Sequence, residues 1–158
     1  MSDAQRDEPE LKISRRIHAS QQVVFDAWTT VESVKEWMCP EGASVSRVEL
    51  DVRVGGAFRI DMHTDGMIDM VHTGVYHEIR PPEKLVFTWV SQHTHYQASL
   101  VTVEFRAQGD STELVLTQRH LPDEEARRRH VAGWTALLDH LATWLEQQGY
   151  DFRAPDNS

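Results

Sequence analysis

The sequence predicts an α+β domain: a curved antiparallel sheet of about seven strands, two short helices after the first strand, and a long C-terminal helix laid on the sheet. Three observations carry this reading. Residues 44–120 read as successive strands separated by turn signals. His130, Trp134, Leu137, Leu138, Leu141 and Leu145 recur at helical spacings of three and four. A helix of about 25 residues, roughly 37 Å long, must bury that stripe against an equally long apolar surface, and a sheet face is the one on offer.

The elements follow in order. Leu11, Ile13 and Ile17 open the domain as a short strand, although Arg15 interrupts strict alternation. Ser20 is placed to cap a helix, its hydroxyl accepting from free first-turn amides, and Val24, Ala27, Trp28 and Val31 follow at helical spacing. Thr29 and Glu32 have capping-box spacing and predict a second short helix to about Trp37, ended by Pro40 and Gly42. Val45, Val48, Leu50 and Val52 precede the Gly55-Gly56 turn. Phe58, Ile60 and Met62 then alternate with Arg59, Asp61 and His63, so Asp61 is expected on the solvent face. Thr64-Asp65-Gly66 turns the chain into a run from Ile68 to Ile79, and Pro81-Pro82-Glu83 turns it again into a strand over 85–90. A polar loop with His93, His95 and Tyr96 comes next. Strands over 98–107 and 112–120 are joined by the hairpin signal Gln108-Gly109-Asp110-Ser111. Pro122 and Asp123 start the last helix, Glu124 and Glu125 sit where the helix dipole favours acids, and Gln147, Gln148 and Gly149 end it.

Composition bounds the function. The 158 residues include 16 Lys and Arg against 25 Asp and Glu, a net charge of −9. Affinity for a nucleic-acid backbone comes from clustered cations, so no nucleic-acid partner is expected. No run approaches the roughly 18 apolar residues of a membrane span, and the first ten residues lack the apolar core of a secretion signal, so a cytoplasmic location is expected. Residues 1–10 are expected to be a disordered lead-in, 11–148 one domain, and 149–158 a polar tail. The lone Cys39 excludes an internal disulfide and a cysteine-based zinc cluster. Five Trp, five Phe, three Tyr and five Met stand against this hydrophilic average.

The order of elements resembles the helix-grip fold of the START/Bet v1-like superfamily. Within it, the similarity is to the domain related to the activator of the Hsp90 ATPase. Val24-Phe25-Asp26-Ala27-Trp28, Trp37, Gly55-Gly56-Ala57-Phe58, the stretch from Gly74 to Trp89 and Gly133-Trp134 with Leu137, Leu138 and Leu141 carry the resemblance, over about residues 11–146. It implies a seven-stranded sheet around the C-terminal helix with a cavity between them. In the superfamily that cavity takes up apolar molecules, some members are cyclases or hydrolases, and the eukaryotic namesake is a co-chaperone. The chain as given lacks that co-chaperone's further N-terminal domain, so an Hsp90-type chaperone is a secondary expectation.

Large apolar side chains are the natural walls of such a cavity. Those expected are Trp28, Phe58, Met62, Met70, Tyr76, Phe87, Trp89, Phe105, Trp134 and Leu138. His72 shares strand parity with Met70, Gly74 and Tyr76; Gln118 and His120 share it with Leu116; His130 lies on the stripe of the last helix. These four are the expected polar anchors, and a histidine among them could act as acid or base. His93 and His95 would share a face if their segment is extended, but no third ligand has a telling spacing and no metal is expected. Cys39 lies in no nucleophile signature. Asp61 and Asp69 could approach across a hairpin. The run Arg127-Arg128-Arg129 is accounted for by pairs from Glu124 and Glu125. The leading expectation is therefore a protein that binds a hydrophobic or amphipathic small molecule, without a cofactor. A cavity-based hydrolase or cyclase, and a chaperone or stress-response interaction module, are the alternatives. A homodimer stays open.

Overall fold

The computed structural model describes residues 9–156, with side chains through residue 148. Most of the lead-in expected over residues 1–10 lies outside the described residues. The elements are β1 (Leu11–Ile17), α1 (Gln21–Thr29), α2 (Val31–Trp37), β2 (Ser44–Leu50), β3 (Ala57–His63), β4 (Met70–Arg80), β5 (Lys84–Trp89), β6 (Ser99–Gln108), β7 (Ser111–Arg119) and α3 (Glu124–Asp156). The strands form one seven-stranded sheet in the order β1-β7-β6-β5-β4-β3-β2, and every neighbouring pair is antiparallel. This is the helix-grip α+β architecture.

Its chain path explains the two short helices. β1 and β2 lie at opposite edges of the sheet, so the segment between them must cross its whole width. Ser20 starts α1, its Oγ accepting from Val23 N at 3.3 Å, and Trp37 Nε1 of α2 donates to Ala27 O of α1 at 2.9 Å. That bond ties the two helices into one bent crossing. Asp123 caps α3, accepting from Ala126 N at 2.8 Å. The stripe of α3 then buries Trp134, Leu138, Leu141 and Leu145 against inward residues of the sheet such as Leu85, Val101, Phe105, Leu114 and Leu116. At about 25 cal/mol per Å² of apolar surface removed from water, this shared face is the main stabilising term.

Gly74 marks where the sheet is tightest. A Cβ there would lie 2.5 Å from the Phe58 ring and closer still to Thr88 O, so only glycine lets Phe58 lie over β4. Two residues on, a register shift between Tyr76 and Glu78 bulges β4 against β5, yet His72, Gly74 and Tyr76 all remain buried.

Several expectations are corrected. Thr29 and Glu32 form no capping box: α2 begins after Thr30 without a side-chain cap, because Thr29 is still the last residue of α1, where its hydroxyl donates to Phe25 O at 3.2 Å. Ile68 is not in a strand. β4 begins at Met70, and Ile68 is 95% exposed in the turn before it. Asp61 faces outward as alternation requires but is buried rather than solvated, because Arg59 lies over it and donates to both carboxylate oxygens at 2.9 and 3.0 Å. Asp61 and Asp69 do not pair with each other; Asp69 is held instead by Ser46 and His63. The last helix does not stop at Gly149 but runs to Asp156. A glycine inside a helix costs about 1 kcal/mol relative to alanine, which weakens the helix without ending it.

Candidate functional site

Between the sheet and α3 lies a cavity of about 410 Å³ that opens to solvent at one end of the strands. Its floor comes from the end of β3 (Met62), the start of β4 (Met70 and His72) and the end of β5 (Trp89, followed by Ser91 and His93). Its roof is one face of α3, on which His130, Gly133, Trp134 and Leu137 recur at i, i+3, i+4 and i+7. Met67 and Ile68, 66% and 95% exposed in the β3–β4 turn, form the rim. Gly133 is exposed, and a Cβ built on it would meet nothing within 4 Å, so it borders the cavity where a side chain has room.

The apolar wall is a cluster of tilted rings. Trp89 lies 4.9 Å from Trp134 and 4.8 Å from the His72 ring, centroid to centroid. Behind it runs a buried polar chain. Trp134 Nε1 donates to Gln118 Oε1 at 2.9 Å, Gln118 Nε2 donates to Ser99 Oγ at 2.9 Å, and Ser99 Oγ donates to Trp89 O at 2.6 Å. Gln118 thus joins the two tryptophans of the wall and is fully buried.

Three imidazoles face the cavity. Burial is the first cause that lowers the pKa of His72, to about 4, with the nearby His130 and His93 pushing the same way. Burial also lowers His130, and then His93. His93 is lowered by burial and by the Arg129 guanidinium. All three are therefore neutral near pH 7. His93 is carried by a short 3₁₀ turn, Gln92–Thr94, in which Ser91 Oγ accepts from His93 N at 3.1 Å. This turn replaces the extended segment that would have put His93 and His95 on one face. His95 instead approaches Asp123 at 3.8 Å. Among the described residues no group of three or more His, Cys, Asp or Glu is placed to hold a metal ion.

Of the fourteen residues expected at the site, Met62, Met70, His72, Trp89, His130 and Trp134 line this cavity. Trp28, Phe58, Tyr76 and Phe87 surround only a void of about 20 Å³ deeper in the core, and Phe105 and Leu138 are core residues. Two expected anchors are placed elsewhere. Gln118 is spent on Trp134 and Ser99, and His120 is exposed beyond the end of β7, with a φ of 65°. Sequence reasoning missed Gly133 and Leu137, which the i, i+3, i+4, i+7 spacing from His130 could have found. It also missed Met67 and Ile68, for which a turn offers no periodicity.

Among the described residues no helix is long and apolar enough to cross a membrane. The chain is similar in fold to a Chromobacterium violaceum protein (TM-score 0.79, 24% identity, 87% of this chain and 96% of that one). It is also similar to an HSP90 activator from Plasmodium falciparum (TM-score 0.70, 25% identity, 87% and 96%), and to an AHSA1-like protein from Aeromonas hydrophila (TM-score 0.71, 23% identity, 88% and 94%). The search of curated proteins finds no match. The profile of the family described as activator of Hsp90 ATPase homolog 1-like protein matches residues 18–146, most of the folded chain. The protein therefore belongs to the activator of Hsp90 ATPase homolog 1-like family.

Proposed function

We propose that the protein binds an apolar or amphipathic small molecule in the cavity between sheet and α3, without a cofactor and without turning its ligand over. The observation that supports this is the cavity of about 410 Å³ roofed by Gly133, where a side chain would meet open space. Walls of tryptophan, methionine and leucine with a few polar groups are what ligand sites of this size are made of. The histidines support binding over hydrolysis or cyclisation. A base with a pKa of about 4, as in His72, is weak at neutral pH, and no carboxylate is among the lining residues to orient it. The proposed setting is the cytoplasm, and sedimentation of the same preparation reads whether the working unit is a homodimer.

Gly133→Leu tests the reading. It places an isobutyl group in the cavity while raising helix propensity by up to about 1 kcal/mol, so the fold is retained. Binding of Nile red, followed by its fluorescence, is expected to weaken at least tenfold. Unchanged binding would sink the proposal.

A second reading is favoured by the family match and by the Plasmodium falciparum HSP90 activator: stimulation of an Hsp90-type ATPase. Purified protein added to such a chaperone should raise its rate of ATP hydrolysis, and a rate unmoved at saturation removes this reading.

A further inference from the structure

Two of the imidazoles that line the cavity have their protons positioned by the backbone. His72 Nδ1 lies 3.2 Å from Ile60 O, and His130 Nδ1 lies 2.7 Å from Ala126 O. A carbonyl oxygen can only accept, so each neutral ring carries its proton on Nδ1 and its lone pair on Nε2. The hydrogen bonds of the described residues give neither Nε2 a protein partner, and neither atom is among the fully enclosed unpartnered ones, so each opens to the cavity even though His72 is only 6% exposed and His130 only 8%. One lone pair is offered from the sheet wall and the other from the α3 wall. A lone pair that opens into a mostly apolar cavity is free to take a ligand's donor in place of water.

We propose that the cavity recognises a flat, apolar ligand through a hydrogen-bond donor, an alcoholic or phenolic hydroxyl delivered to Nε2 of His72 or His130, and that it disfavours the corresponding carboxylate. This rests on the reading of the cavity as a ligand site. The flat shape follows from the aromatic lining, since Trp89, Trp134 and the His72 ring all border the cavity and aromatic side chains pair well with a flat ring. The preference for a donor follows from the fixed tautomers. A carboxylate brings only acceptor oxygens and would meet two lone pairs after losing its own hydration. Burial holds both rings neutral at pH 7, so they supply no cation to offset that cost. The one charged side chain of the lining, Arg129, is 54% exposed, pairs with Glu125 at 3.1 Å and acts on His93 rather than on His72 or His130.

Three matched probes test this at pH 7.5: naphthalene, 2-naphthol and 2-naphthoate. They share one ring system and differ only in the polar end. A net hydrogen bond of about 0.5–1.5 kcal/mol corresponds to a roughly two- to tenfold gain, so 2-naphthol is expected to bind that much more tightly than naphthalene, and 2-naphthoate more weakly than either. In the His72→Leu, His130→Leu double variant, whatever its affinity for naphthalene, the ratio of 2-naphthol to naphthalene affinity should fall to about one, and a ratio kept at its native value would overturn the inference. ¹⁵N NMR gives a readout that does not depend on a variant: the Nε2 resonances of His72 and His130 move with 2-naphthol and stay in place with naphthalene. Equal affinity for naphthalene and 2-naphthol, or tighter binding of 2-naphthoate, overturns the inference while leaving the cavity a ligand site. Failure of all three probes, or binding indifferent to Gly133→Leu, overturns the ligand site and the inference with it.

Discussion

His72 links the cavity to pH. Burial lowers its pKa from 6.5 to about 4, so between these values the unfolded chain takes up a proton that the folded chain refuses. The stability that His72 contributes is complete above pH 6.5 and is lost as the pH falls toward 4. At about 1.4 kcal/mol per pH unit, the loss is about 3 kcal/mol. His72→Leu should flatten this part of the acid limb in urea denaturation, and an unchanged limb would place its cause in other groups. Gln118 shows a different dependence. Its strand parity is legible in the sequence and does put it on the inner face, but parity says nothing of what the amide meets there. Trp134, sixteen positions away, takes Oε1 before any ligand can. Gln118→Leu leaves the Trp134 N–H buried without an acceptor, at a cost of about 1–3 kcal/mol. In a Trp134→Phe background that cost should shrink by about 1 kcal/mol or more, and strict additivity in the cycle would rule out the coupling.

The β3–β4 hairpin owes its closed end to ion pairs. His63 Nδ1 lies 2.7 Å from Asp69 and Nε2 3.3 Å from Asp65, while Ser46 of β2 donates to the second Asp69 oxygen at 2.7 Å. The Asp69 hydrogen bond is the largest cause that raises the His63 pKa above 6.5, and His63 in turn lowers Asp69 below 3.8. Stability from charged His63 is complete below pH 6.5 and is lost as the pH rises through its higher folded value. Stability from Asp69 is complete above 3.8 and is lost as the pH falls through its lower folded value. The turn carrying Met67 and Ile68 is therefore held best from about pH 4 to 6.5 and loosens above it. Exchange of the Met67 amide, which donates to Thr64 O at 3.0 Å, should show less protection at pH 8 than at pH 6 once intrinsic rates are removed. His63→Asn should abolish the difference, and equal protection at both pH values in the native protein would rule out the clamp. At this scale the sequence was readable wherever a period repeats, as in β3, β5 and α3. It was not where side chains compete for one group: capping-box spacing at Thr29 and Glu32 lost to a bond inside α1, and the outward Asp61 was drawn under Arg59.

Across the whole molecule, the aromatic stock divides along the strands. Phe58 at the start of β3, Tyr76 late in β4 and Phe87 in β5 close against Trp28 and leave about 20 Å³. Met62, Met70, His72 and Trp89, at the other ends of the same strands, face about 410 Å³. Alternation in the sequence reports which side chains point inward, and it did so for both groups. It does not report depth along the strand, which depends on what lies across the sheet: α1 and α2 fill one end, and the Gly133 face of α3 roofs the other. An unfilled end weakens a fold, since lost contacts and residual cavity volume both destabilise it. A molecule that occupies the space should therefore act on the global unfolding equilibrium. With 2-naphthol held at about a hundred times its dissociation constant, linkage predicts about 2.7 kcal/mol of added stability. At about 2–4 °C per kcal/mol for a chain of this size, the melting temperature should rise by about 5–10 °C. Gly133→Leu, whose new side chain occupies the same space, should melt at or above the free native protein and show no such rise. A comparable rise in both proteins would mean that the probe is held elsewhere on the fold, and that the open end of the sheet is not where ligand energy enters.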